Sequence, residues 1–249
     1  MVDGVGGSDL LRSSSENTAA EVMARLAVAL HDAEGVKETA ATAVDYARKA
    51  IDCEQAGILL AHSGRVEIGT VTDALVTRLY QLQIETGTGP MLEALTENTV
   101  VHVPDVTGER RWPAWGSSAE TAGIGSVLHV PMRDRECPIG VLSLFSTKSH
   151  AFSDDDEAIA VLLARHVALA VSEAQHDVDL HIALDARAVV GQAMGILMER
   201  FDVDEARAFA ILRRYSQDNN TRLRGVAERL IRTRGLPPGQ SPGTHRPSR

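Results

Sequence analysis

Residues 153–198 read SDDDEAIAVLLARHVALAVSEAQHDVDLHIALDARAVVGQAMGILM, a helical pattern with no proline and no glycine before Gly191. A helix over this stretch is about 70 Å long at the α-helical rise per residue, too long to belong to one domain. Its start is marked by Ser153, a residue able to accept backbone N–H bonds at an N-cap, and by Asp154, Asp155, Asp156 and Glu157, whose charge suits the positive end of the macrodipole. The same acidic run is what a metal site would need, and a helix start accounts for it without one. An apolar stripe runs through Ala164, Val167, Val171, Ala174, Val178, Ile182, Ala186, Val189, Ala193 and Ile196. It is a heptad pattern interrupted by successive four-residue steps between Ala174 and Ala186, as in a coiled coil that locally unwinds. The stripe therefore predicts a parallel homodimer, and the competing reading is that this face packs on the chain's own two domains.

The charge distribution divides the chain at the same helix. The 249 residues carry a net charge of -9, but residues 1–184 hold 13 Lys+Arg against 27 Asp+Glu, whereas residues 185–234 hold ten arginines and no lysine against seven acids. A basic segment on an acidic body suits a phosphate-binding module whose remaining surface repels nonspecific nucleic acid. Two cysteines, Cys53 and Cys137, make no disulfide framework and suit a reducing compartment. No apolar run reaches the ~18 residues of a membrane span, and residues 1–16 are Gly/Ser-rich and acidic, unlike a signal peptide. These features predict a soluble, cytoplasmic protein with no membrane partner. Residues 1–16 and 235–249 are expected to be disordered on composition.

Between the first segment and the long helix, the pattern alternates between the two regular structures. Residues 17–33 are helical with Val22, Leu26 and Ala29 or Leu30 on one face, Gly35 breaks that helix, and a second runs to about Ile51. Residues 54–61 and 65–71 read as a hairpin around His62-Ser63-Gly64. Helices are expected at 72–84 and 91–96, a strand at 100–103, and a polar segment to Gly123 that contains Trp112 and Trp115. SVLHVPM (126–132) and PIGVLSLFS (138–146) are two strong strands joined by a charged turn, Arg133 to Glu136. The order predicts an α+β domain, an antiparallel sheet of about five strands with helices packed on one face.

The run SVLHVPM, PIGVLSLFS and then Phe152-Ser153-Asp154 opening a helix resembles the end of a GAF domain, and the resemblance spans residues 17–175. GTGPMLEAL (87–95) and DVTGERRWPAW (105–115) look like the GAF subgroup of actinobacterial regulators. Where that subgroup commonly has a cysteine this chain has Met91, so thiol chemistry does not carry over. The resemblance implies a sensor or dimerisation module with a cavity between the sheet and the middle loops, open to an unidentified small molecule, and it implies no cofactor. Trp112, Trp115 and His129 are the candidate pocket residues, with ordinary packing as the alternative for each. His102, His129 and His150 lack metal-ligand spacing.

The C-terminal stretch, residues 180–234, predicts three helices: the end of the long one, a second over about 203–215 with Asp202 as N-cap and Glu205 completing a capping-box spacing, and a third over about 221–232. Val203, Ala206, Ala210, Leu212, Leu223, Val226, Ala227 and Leu230 are the expected core against Ile196 and Leu197. Arg187, Gln192, Ala193, Gly195, Leu197 and Met198, followed by Ala206, Leu212, Ser216, Leu223, Val226 and Ala227, resemble the pattern of an ANTAR domain, the RNA-binding antiterminator module. Members often carry lysine where this chain has Met194. The resemblance implies RNA hairpins as partner. The chemistry needs small residues where a backbone approaches, supplied by Ala193 and Gly195, and arginines that grip phosphates or stack on bases. Arg187, Arg200, Arg213, Arg214, Arg222 and Arg224 are the candidates, beside Gln192.

Three function classes follow. The first is a signal-responsive transcription antitermination regulator, a homodimer that binds a pair of RNA stem-loops under control of the GAF domain and affects RNA polymerase only indirectly. The second is a DNA-binding regulator, since two short helices after a linker mimic a helix-turn-helix, although the turn Gln217–Asn220 is polar and lacks glycine. The third is an enzyme, for which no nucleophile elbow, HExxH, P-loop or dinucleotide spacing is present in a suitable context. The expectation is that the chain is not an enzyme.

Overall fold

A computed structural model describes residues 24–135 and 137–234. Val22 and the two segments expected to be disordered lie outside the described residues. The chain divides into two units, residues 1–176 and 177–249.

The first unit holds helices α1 (described over 24–31) and α2 (Gly35–Ile51), strands β1 (Gln55–His62) and β2 (Arg65–Val71), helices α3 (Ala74–Thr86) and α4 (Pro90–Glu97), strand β3 (Val101–Val103), a 3₁₀ turn (Val106–Gly108), helix α5 (Pro113–Thr121), strands β4 (Ser126–Asp134) and β5 (Cys137–Ser146), and the first part of α6 (Asp154–Phe201). The five strands form one antiparallel sheet in the order β2-β1-β5-β4-β3. Local chemistry sets many of the boundaries. Ser63 and Gly64 both take positive φ, 52° and 74°, the turn that joins two strands without splaying them. The Asp73 carboxylate accepts from Leu75 N at 2.7 Å and starts α3. Ser153 Oγ accepts from Asp156 N at 3.2 Å while Asp156 Oδ2 accepts from Ser153 N at 2.9 Å, a reciprocal cap that opens α6.

Helices cover both faces of the sheet, where the sequence reading put them on one. α1, α2 and α6 bury one face around Ile58, Leu60, Leu128, Leu142 and Leu144. α3, α4 and α5 bury the other around Leu59, Val127, Val141 and Phe145. The reason is visible in β5, where Gly140 to Ser146 are buried without a break; a strand covered twice loses its apolar-polar alternation. The polar segment around the tryptophans contains α5, with Pro113 at its first position.

The second unit is a three-helix bundle of the end of α6, α7 (Glu205–Asp218) and α8 (Leu223–Thr233). Ala193, Leu197, Ala208, Leu212, Val226, Ala227 and Leu230 form its core. Two expectations change here. Asp202 is not the cap of α7: it takes φ 48°, the left-handed residue that ends α6, and Val203 N donates back to Met198 O at 3.3 Å. The cap is Asp204, whose carboxylate accepts from Arg207 N at 2.8 Å. Ala206 and Ala210 are exposed, and Ala208 takes the core position instead.

The apolar stripe of α6 is largely consumed by these two cores. Ala164, Val167 and Val171 are buried in the first; Ala193 is buried in the second and Val189 packs against it. Val178 and Ile182 are the members left in water, 41% and 52% exposed.

Candidate nucleic-acid interface and a buried polar cluster

On the second unit the six candidate arginines fall into two groups. Arg200 donates from Nη1 to the Arg234 carbonyl and lies over the Phe201 ring, 6.0 Å from its centroid. Arg214 is paired with Asp218 at 3.6 Å and Arg224 with Glu228 at 2.8 Å, both exposed one-turn pairs worth only a few tenths of a kcal/mol. Arg187, Arg213 and Arg222 are exposed and have no acidic partner among the described residues. Their charge is therefore available to an external anion without first breaking an internal contact. Arg222 stands at the N-cap of α8 with no side-chain capping bond.

The small residues separate as well. Ala193 is fully buried, so its size serves the bundle's own core. Gly195 is exposed, and a Cβ added there, as at Gly191, meets no atom within 4 Å. Nothing inside the unit requires either glycine, although each costs a helix interior about 0.5–1 kcal/mol relative to alanine. Gly191→Ala and Gly195→Ala are expected to raise the thermal unfolding midpoint of the full chain. A fall at either position would mean that the glycine backbone is needed by the fold itself. Gln192 is exposed beside them. Leu180, Leu184 and Met198 are 58%, 55% and 37% exposed on the same helix.

In the first unit, Trp112, Trp115 and His129 are brought together as packed rings of the second core. Trp112 meets Trp115 edge-on with centroids 6.2 Å apart, Trp115 meets His129 at 6.4 Å, and His129 meets Phe145 at 5.7 Å. The Arg111 guanidinium covers Trp112 at 4.2 Å while held by Glu109, whose carboxylate accepts from its Nη2 at 2.7 Å. The Glu109 carboxyl is held below its ordinary range by those hydrogen bonds. His129 Nδ1 and Ser143 Oγ are 2.7 Å apart across a directly opposed β4–β5 pair. Three buried polar atoms around this pair make no hydrogen bond: Tyr80 Oη, Trp115 Nε1 and His129 Nε2. Burial pushes the His129 imidazole down to about 3 and the Tyr80 phenol well above its ordinary range, so both are neutral at pH 7. Sequence reading missed Tyr80, on a helix of mixed polar and apolar residues, and Ser143, a single polar residue in an apolar run; only the sheet register and the α3 packing bring them to His129. A surface cleft of about 470 Å³ lies between α3 and α5, lined by Leu75, Arg78, Leu82, Ala114, Ser118 and Thr121.

Burial pushes the Cys53 thiol up to about 11, which keeps it protonated and unreactive at pH 7. Among the described residues no group of three or more His, Cys, Asp or Glu could hold a metal ion, and no helix is long and apolar enough to cross a membrane.

Comparison with known proteins gives a GAF domain match over residues 33–172 and an ANTAR domain match over residues 178–231. Among solved structures, a domain of a protein assigned as a two-component sensor histidine kinase from Sinorhizobium meliloti 1021 superposes with a TM-score of 0.50 at 19% identity, covering 60% of this chain and 99% of that one. The GAF domain of a phosphoenolpyruvate-protein phosphotransferase from Coxiella burnetii superposes with a TM-score of 0.51 at 15% identity, over 64% of this chain and 95% of that one. These likenesses concern the fold. No curated protein matches the chain.

Proposed function

Because this chain belongs to the GAF domain family and continues into an ANTAR domain, we propose that it is a signal-responsive transcription antitermination regulator that binds RNA hairpins through its C-terminal unit. Both domains are of the regulatory kind. The observation that carries the RNA reading is the set of exposed arginines without acidic partners among the described residues, Arg187, Arg213 and Arg222, in a stretch (185–234) that holds ten arginines and no lysine. Arg200, Arg214 and Arg224 join them by exchanging a weak internal contact for a phosphate. Gln192 and Gly195 lie on the exposed part of α6, where a nucleic-acid backbone meets no obstructing Cβ; Ala193 acts from inside by fixing that helix in the bundle. By holding two nascent stem-loops the protein disfavours a terminator hairpin, so its effect on RNA polymerase passes through the RNA.

The regulator works as a cytoplasmic homodimer. The seam that pairs the copies is not the stripe absorbed by the two cores. It is the exposed line of Leu180, Leu184 and Met198, with Gly191 between them allowing close helix approach. In the GAF domain, the hydrogen-bonding atoms left without partners on Tyr80, Trp115 and His129 support a small-molecule pocket lined by Trp112, Trp115 and His129. Opening that packed cluster for a ligand supplies the signal.

The test is binding of the full chain, and of its Arg213→Ala/Arg222→Ala variant, to a labelled RNA with two tandem hairpins across a salt series. The variant is expected to bind more weakly, with a salt slope reduced by about 1 per arginine removed. Displacement of the RNA by duplex DNA at equal nucleotide concentration would instead establish a DNA-binding regulator.

A further inference from the structure

The chain has four phenylalanines, and the two units treat them oppositely. Phe145 and Phe152 in the first unit are 0% and 6% exposed, while Phe201 and Phe209 in the second are 54% and 41% exposed. The second unit builds its core from alanine, leucine and valine and leaves its two largest apolar side chains in water. The part of each ring left in water contributes nothing to burial. Its placement is informative because of what stands beside it.

On α7 the buried side is set by Ala208 and Leu212. At 100° per residue Phe209 and Arg213 lie one turn apart on one flank of that side, with Gln217 a turn further on; Arg207, Arg214 and Asp218 lie on the other flank. The second flank has its own charge balance, since Arg214 is paired with Asp218 at 3.6 Å. The first has Arg213 exposed without an acidic partner among the described residues, and its one carboxylate, Glu205, belongs to the first helical turn. Phe201 repeats the combination at the end of α6, where the Arg200 guanidinium lies over its ring at 6.0 Å.

We propose that Phe209, with Arg213 one turn along α7, is a stacking seat for an unpaired RNA base, and that Phe201 with Arg200 is a second seat. The inference rests on the RNA-binding reading above and adds to it the residues that distinguish a loop from a stem. A stem offers its phosphates but keeps its bases stacked inside; a loop base presents an open π face beside a phosphate. A ring and a free guanidinium one helical turn apart match that pair of groups. An apolar protein partner would have to bury Arg213 without a carboxylate to meet it, which burial penalises.

The experiment compares the full-length protein with its Phe209→Leu, Phe209→Tyr and Phe201→Leu variants on the tandem-hairpin RNA, across salt. Loop bases of the RNA are also removed one at a time as abasic sites. Both rings are exposed, so thermal unfolding of the variants is expected to match the parent and to rule out misfolding. Phe209→Leu is expected to weaken binding by roughly 5- to 100-fold with an unchanged salt slope, whereas Phe209→Tyr retains it. One abasic position should cost the parent the same factor and cost Phe209→Leu almost nothing more. Parent-like binding by Phe209→Leu, while Arg213→Ala binds more weakly, would overturn the stacking seat and leave the RNA reading standing. Failure of the parent itself to bind hairpin RNA would overturn both.

Discussion

Gly140→Ala is expected to unfold the first unit or to leave it barely folded. Gly140 lies on β5 between Leu60 of β1 and Met132 of β4, so its neighbours on both sides are backbone. A Cβ built there falls 2.0 Å from the Leu59 carbonyl oxygen and 3.0 Å from the Leu59 carbonyl carbon. No rotamer change relieves a contact with a backbone atom. The two central strands have to separate, which breaks ladder hydrogen bonds and opens both cores at once. Overpacking of this kind costs about 3 kcal/mol or more, a large part of the 5–15 kcal/mol that holds a typical domain together. Both tryptophans, Trp112 and Trp115, belong to this unit, so their fluorescence during urea unfolding of the full chain reports on it alone. Gly108→Ala is the matching control: a Cβ there meets nothing within 4 Å and its φ is ordinary, and its midpoint should stay with the parent's. A Gly140→Ala midpoint equal to that of Gly108→Ala would show that the sheet yields at this point.

The second large effect is acid destabilisation through His129. Burial holds its imidazole neutral down to about 3, whereas in the unfolded chain it takes a proton near 6.5. The unfolded state therefore binds the extra proton between those values. Stability from this residue is fully present above about pH 6.5, and it falls by about 1.4 kcal/mol per pH unit on the way down to 3. At pH 5 the loss is about 2 kcal/mol. The depressed carboxyls Glu54 and Glu109 act in the same direction but only below the ordinary carboxylate range, because their unfolded forms stay charged until then. The window from pH 6.5 to 5 thus isolates the histidine. Urea midpoints followed by tryptophan fluorescence should decline through it in the parent and stay level in His129→Gln, which keeps a hydrogen-bonding group toward Ser143 and cannot titrate. An equal decline in both would place the titrating group elsewhere.

The features that sequence reading located correctly are those decided within a few residues. Ser153 at the start of α6 and Ser63-Gly64 between β1 and β2 each satisfy backbone groups or accept positive φ locally. Asp202 and Asp204 show the limit of that logic. Both are acceptable caps by type and spacing, and the choice between them depends on where α6 unwinds, which is set by the packing of Val203 and Leu197 in the bundle.

From the sequence alone came the α+β first unit with its antiparallel strands, the long helix after it, the following helices, the GAF and ANTAR resemblances, and the contrast between an acidic body and an arginine-rich end. The resemblances rest on motifs; the others are properties of composition or of periodicity along the chain. The tertiary structure decided which faces are spent. It covered the sheet on both sides, turned the heptad stripe of α6 inward at both ends, and buried Trp112, Trp115 and His129 around Ser143 and Tyr80. It also tied Arg214 and Arg224 to neighbouring acids while leaving Arg213, Arg222 and two phenylalanine rings in water. Periodicity states that a helix has an apolar side. Which surface that side meets is a competition among partners far apart in the chain, and only the folded arrangement brings those partners together.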